Sequence, residues 1–324
     1  MKILGRNKLI TPAMIQTLKT YPYPLILVLI AFVVMFSGLY PGRFLTPLNF
    51  STTLTQFARL TLFALGPTIV LLIGSLDLSY VGIWMLGGVL VWLLMPILGM
   101  FSILVYPLFG LATGFLIGVL QVKAKIPSFI LTLSLLFTFA GLASWLTGGV
   151  PRPVREYEFI TEPLIPRIPT AFLWSIPIII AAVFIMKRTR IGTYLYAIGS
   201  SEEGAGLAGI NVAKYKILAY TLSGLFTGIG LIILFSHFGC AAPVDLKLGN
   251  VVEPLAAMVL GGTALAGGSG GPERTALGAL TLAVIIRGLY LMILLPEVVD
   301  FLSGLLIVVA IVIGARGLKG VTVT

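Results

Sequence analysis

Apolar runs of membrane-spanning length recur along the chain, separated by short breaks that hold most of its charge. A bilayer core of roughly 30 Å is crossed by about 20 apolar helical residues. Runs of that kind are read near 21–40, 54–73, 81–99, 101–122, 128–147, 171–186, 217–237, 251–265, 275–295 and 298–314. The eighth is short, as a broken or re-entrant element would be. Helix breakers mark the divisions: Pro41, Pro47, Gly99, Pro127, Pro151, Pro153, Pro243, the glycine-rich stretch 267–271 and Pro296. The expected fold class is therefore an all-α integral membrane protein of about ten transmembrane helices in one domain, 1–324.

Composition excludes the soluble alternative. Hydrophobic residues make up 58% of the 324 and charged residues only 10%, too few to build a polar skin around a globular core. The net charge of +10 does not point to nucleic acid, because the basic residues form no stripe. They sit in the breaks. If the segment 1–20 is cytoplasmic, fourteen Lys and Arg fall in inside segments and five in outside ones, with Arg59 and Arg287 within spans. The positive-inside rule then places both termini in the cytoplasm. No small-residue cleavage site follows the first run, so it is expected to be retained as a span.

Catalytic chemistry has little to work with. The chain has one cysteine, Cys240, and one histidine, His237, so neither an intrachain disulfide nor a Cys/His metal cluster can form. Both are read as packing residues or local polar partners. No G-x-x-x-x-G-K-[ST] phosphate loop occurs, so any ATP hydrolysis must come from another subunit. Asp77 lies between Leu76 and Leu78. An ionised group at that depth has to face protein, water or a partner. The favoured reading is a cap for a helix beginning near Ser79 or Tyr80. Arg59 and Arg287 either snorkel or line a polar path.

Two breaks exceed a minimal connector. Residues 148–170, expected outside, are proline-rich and carry Arg152, Arg155 and Glu156. Residues 187–216, expected inside, combine charge with small residues. Each is either a solvated loop or a docking surface. Glycine is abundant, at 37 residues, and Gly261, Gly262, Gly267 and Gly268 belong to a dense cluster. Such residues allow close helix packing or irregular backbone around an enclosed cavity. The segments at 76–82 and 244–249 share a short pattern, which an inverted repeat of two five-helix units would produce.

Three motifs carry a resemblance: I-G-S-L-D-L-S-Y-V-G at 73–82, T-R-I-G-T-Y-L-Y-A-I-G-S-S-E-E-G-A-G-L-A-G-I-N-V at 189–212, and A-A-M-V-L-G-G-T-A-L-A-G-G-S-G-G at 256–271. With I-P-S-F-I at 126–130, they resemble the permease subunits of ribose-type ABC importers, and the likeness extends over nearly the whole chain. Ser75, Tyr80, Ser201, Gly204 and Arg287 depart from the family's usual residues. The resemblance implies a non-enzymatic subunit that forms the pathway for a simple sugar or related small polar solute.

It further implies a second permease chain, identical or a sister, two cytoplasmic ABC ATPase subunits that bind ATP and Mg, and an extracytoplasmic solute-binding protein. The chain itself would carry no cofactor, and its bilayer would be the cell inner membrane. A short helix near Ser200–Ala208 would enter a groove of the ATPase, with Ser200, Ser201, Glu202, Glu203, Gly204, Ala205 and Gly206 as its coupling segment. Glu202 and Glu203 suit the positive end of that helix, and the small residues suit close packing against a partner. Asp77, Ser79 and the four glycines would belong to the pathway or its framework, and Arg152, Arg155 and Glu156 to binding-protein docking. The competing readings are an ion-coupled secondary transporter, an intramembrane enzyme, and the related importer branch for branched-chain amino acids.

Overall fold

The computed structural model describes residues 22–162, 164–241, 248–292, 297–299, 301–305 and 308. Helices dominate. The first, α1, is Tyr23–Leu39, followed by a single turn, α2, Pro41–Phe44. Then come α3, Pro47–Leu72, α4, Ser79–Leu98, and a 3-10 turn, Gly99–Leu104. Next are α5, Val105–Ala124, α6, Ser128–Thr147, and α7, Thr170–Arg188. Two short helices follow: α8, Arg190–Ser200, and α9, Glu202–Leu207. The series continues with α10, Val212–Phe238, α11, Leu248–Leu260, and α12, Pro272–Leu291. A two-residue ribbon pairs Arg152–Pro153 with Cys240–Ala241, antiparallel.

Among the described residues, six helical stretches are long and apolar enough to cross a membrane: α3, the run Ser79–Ala124 that contains α4 and α5, α6, α7, α10 and α12. Two shorter apolar helices, Tyr23–Leu39 and Gly249–Leu260, join them. The chain is an all-α membrane protein. The expected span at 298–314 and the proposed repeat segment at 244–249 lie largely outside the described residues. The stretch 187–216, expected to be a loop, is instead almost wholly helical, because Gly192, Leu195 and Ile198 recur at helical spacing and bury one face of α8.

Local chemistry sets the helix ends. Thr46 caps α3 by accepting from the Asn49 N–H at 3.2 Å, with Pro47 in the first turn. Asn211 caps α10 through the Lys214 N–H at 3.0 Å, and α10 stops at the left-handed Gly239.

The centre of the bundle is α3, buried continuously from Leu60 to Ile73 and packed against α10, α12, α7 and α11. Helices α6 and α7 lie at the periphery and display large apolar side chains such as Phe137, Trp145, Ile180 and Phe184, which suits a lipid surround. The most extensive helix pair is α5 with α10. Gly110, Gly114 and Gly118 recur every fourth residue along α5 and face α10, where a Cβ at Gly118 would stand 2.7 Å from the Ile217 Cα. Small residues in register let two backbones touch in a solvent that supplies no hydrophobic drive.

Candidate functional site

Three distant segments meet at one end of α3. The Gly268 N–H donates to the Leu72 carbonyl at 2.8 Å, so the glycine-rich loop between α11 and α12 completes the open C-terminus of α3. Gly199, near the end of α8, lies against the same two groups. A Cβ there would collide with the Leu72 carbonyl and the Gly268 nitrogen. Gly267 and Gly268 have left-handed φ values of 87° and 72°, and a Cβ on Gly268 would stand 2.9 Å from the Ser200 nitrogen. Glycine is required here by backbone sterics and by contact together.

Side chains brace this junction. The Tyr196 hydroxyl donates to the Gly270 carbonyl at 2.8 Å. Burial, with the Glu273 carboxylate adding to it, pushes the Tyr196 phenol up to about 12, so it stays a protonated donor at physiological pH. Lys187, at the end of α7, pairs with Glu273 at the start of α12 at 2.8 Å. Arg274 donates to the Gly262 carbonyl at 3.2 Å. Gly261 packs so closely against Arg274 that a Cβ would enter its carbonyl. The ends of α3, α7, α8 and α12 are thus held as one assembly.

Next to it, Ser201 caps α9 by accepting from the Gly204 N–H at 3.0 Å. Glu202 pairs with Lys216 of α10 at 2.5 Å. Ser201, Glu202, Glu203, Gly204 and Gly206 are exposed. Ala205, expected on the partner-facing surface, is instead buried at 5% exposure. It faces the helical bundle, within the cluster that holds Leu195 and Ile198, because a six-residue helix lying on the bundle must turn one side inward. The exposed apolar residue of this helix is Leu207, at 85%, which the sequence reading did not single out.

Asp77 lies in the non-helical segment 75–78 between α3 and α4, and it is 3% exposed. Its Oδ1 accepts from the Ser79 N–H at 2.9 Å and the Ser79 hydroxyl at 2.6 Å. Its Oδ2 accepts from the Ser223 hydroxyl of α10 at 2.8 Å. The carboxylate therefore secures the start of α4 and ties it to α10. The neighbouring backbone is also supplied: Ser128 Oγ accepts from the Leu76 N–H at 3.2 Å. Non-helical backbone inside a membrane protein is tolerated only when protein encloses it in this way.

The ribbon lies at the far end of α10 from α8 and α9. Arg152 donates to the Thr147 carbonyl at 2.8 Å, and its guanidinium stands 5.0 Å from the Trp92 ring centre. Arg155 and Glu156 are exposed, and Arg155 reaches Glu158 at 3.7 Å. Arg152 is thus engaged within the fold, apart from the exposed pair.

Comparison with known proteins places the chain. Residues 49–311 match the family described as the branched-chain amino acid transport system / permease component. The ribose import permease protein RbsC of Escherichia coli K12 is 34% identical over 278 residues, covering 82% of this chain and 84% of that protein. The fructose import permease protein FrcC of Rhizobium meliloti is 29% identical over 310 residues, covering 89% and 83%. The xylose transport system permease protein XylH of Escherichia coli K12 is 28% identical, covering 86% and 87%. No solved structure matches. With its helices of membrane-crossing length and its match over most of the chain, the protein belongs to this family of transport-system permease components.

Proposed function

We propose that the chain is the transmembrane permease subunit of a binding-protein-dependent ABC importer and forms the pathway for a simple sugar. The observation that carries this reading is the three-way junction of Leu72, Gly199 and Gly268, in a chain whose relatives are named as permeases for ribose import, fructose import and xylose transport. A separate ATPase, which binds ATP and Mg, grips the exposed face of α9 through Glu203, Gly204, Gly206 and Leu207. Closure of the ATPase pair pushes α9 and α8. Gly199 leaves no slack against α3, so the push reaches the end of α3 and the glycine-rich loop rather than being absorbed locally.

The family's description names branched-chain amino acids, but the named relatives carry sugars, and the sugar reading is preferred. The ten-span layout with two inverted halves, the pairing of two permease chains and the cytoplasmic termini belong to the same proposal. The fourteen-to-five charge distribution supports that orientation. Arg155 and Glu156 then face the binding protein. The test is uptake by the complete importer, with its cognate ATPase and binding protein, of ribose, fructose, xylose and leucine. Accumulation of a sugar is expected, and accumulation of leucine alone would overturn the sugar assignment.

A further inference from the structure

Five polar side chains share one face in the N-terminal half of α3. Ser51, Thr52, Thr55, Gln56 and Arg59 fall within an arc of roughly 140° at about 100° per residue, and all five are partly exposed. Arg59 lies about 18 Å along the helix from Pro47, within a helix long and apolar enough to cross a membrane. Its guanidinium pairs with Glu253 of α11 at 2.5 Å. It also donates to Asn250 at 2.9 Å and to Gln56 at 3.3 Å. The two charged side chains keep 18% and 16% of their surface exposed. A charge at that depth faces water or protein, not lipid.

The face has a mouth and an end. Ser51 and Thr55 line a cavity of about 250 Å³ together with Thr161, Arg167, Thr170 and His237. One turn beyond Arg59 the face is closed by α10, where Gly230 packs on Leu62 and Gly66 on Ser223 and Thr227. Along α3 the polar side chains therefore extend from Ser51 and Thr55, which line the cavity, to Arg59, which pairs with Glu253. Its ionic pair is neutral overall and hydrogen-bonded, so an anion or a cation would have to break it. An uncharged molecule rich in hydroxyls can donate to Glu253 and Asn250 and accept from Arg59 without doing so.

We propose that this face is the solute-contacting wall of the pathway, with Gln56, Arg59, Asn250 and Glu253 as its innermost site for the hydroxyls of a neutral solute. The proposal rests on the importer reading above. Two experiments on the complete importer in proteoliposomes test it, in a background where Cys240 is replaced by Ser. In the first, Thr55→Cys and Gln56→Cys are exposed to a small charged methanethiosulfonate, with Phe137→Cys as the lipid-facing control. Reaction at positions 55 and 56 but not at 137 is expected. Protection at 55 and 56 equal to that at 137 would show a dry face and overturn the proposal.

The second uses the double variant Arg59→Met/Glu253→Leu, which removes both charges and leaves neither unpaired. Uptake of whichever of ribose, fructose or xylose the parent accumulates should fall about ten-fold or more, as loss of charge-assisted hydrogen bonds to the solute requires. Permease and ATPase should still co-purify in the parent ratio. Uptake at the parent rate would make the pair a helix-to-helix fastener and overturn the site. If the parent itself accumulates none of the three sugars, the sugar assignment fails and the proposed solute site with it. The thiol reactions still report whether the face is wet.

Discussion

The Tyr196 hydroxyl donates to the Gly270 carbonyl at 2.8 Å, tying α8 to the loop that closes the end of α3. The bond joins residues 74 positions apart, and with the Lys187–Glu273 pair it makes the junction resist separation. Tyr196→Phe removes the donor and little else. It should lower stability by about 1 kcal/mol and reduce solute imported per ATP hydrolysed. Thermal unfolding and paired uptake and hydrolysis assays check both. An unchanged coupling ratio would remove Tyr196 from the transmission path.

The glycine at 199 makes a sharper prediction. Because a Cβ would collide with backbone atoms of Leu72 and Gly268, Gly199→Ala should spread the junction, at a cost of roughly 1–3 kcal/mol. The expected result is near-normal ATPase binding with impaired uptake, read by co-purification and transport on one preparation.

Leu207 and Ala205 should separate by orientation. Leu207→Asp, at an exposed position, should weaken ATPase co-purification while leaving the thermal transition of the permease alone unchanged. Ala205→Trp should instead lower that transition, since the buried site has no room for an indole. Equal thermal effects would contradict the placement of α9.

The positions of the principal helices were legible in the sequence, because apolar runs and proline or glycine breaks are local signals. Their ends were less so: α3 begins at Pro47, well before the expected 54, since its first turns carry Ser51, Thr52, Thr53 and Thr55 rather than an apolar run. The inward turn of Ala205 was hidden because composition marks a helix as small-faced without saying which side meets the bundle. The glycines at 261–268 stood out as a cluster, but their partners Leu72 and Gly199 come from remote segments and no spacing announces such a meeting. The repeat at Gly110, Gly114 and Gly118 was readable, and its four-residue period is the signal that would have found the α5–α10 seam.

Asp77 offers a test of structural against proton-carrying roles. Asp77→Asn keeps an oxygen to accept from the Ser79 N–H and an amide able to meet Ser223, whose hydroxyl can turn. Asp77→Ala leaves the buried Ser79 N–H unpaired, at a cost of about 1–3 kcal/mol. Denaturation in detergent should show the alanine variant clearly destabilised and the asparagine variant close to the parent, with uptake following stability. Full stability with abolished uptake in Asp77→Asn would show that the charge itself is needed.

Orientation and outer docking can be read from exposed positions. With Cys240 replaced, Glu156→Cys should react with an impermeant maleimide from outside and Ser201→Cys should not. Reversed labelling would invert the topology. Arg155→Glu should weaken binding-protein docking most at low salt. Unchanged affinity would leave 148–170 a connector.

The energy source is the most direct test of the account. The permease, its cognate ATPase and its binding protein are reconstituted into proteoliposomes, and uptake of labelled sugar is measured with ATP, with a proton or sodium gradient, or with neither. The account predicts accumulation that requires ATP, the ATPase and the binding protein, and no accumulation from a gradient alone. Uptake driven by an ion gradient in liposomes that lack the ATPase would contradict it.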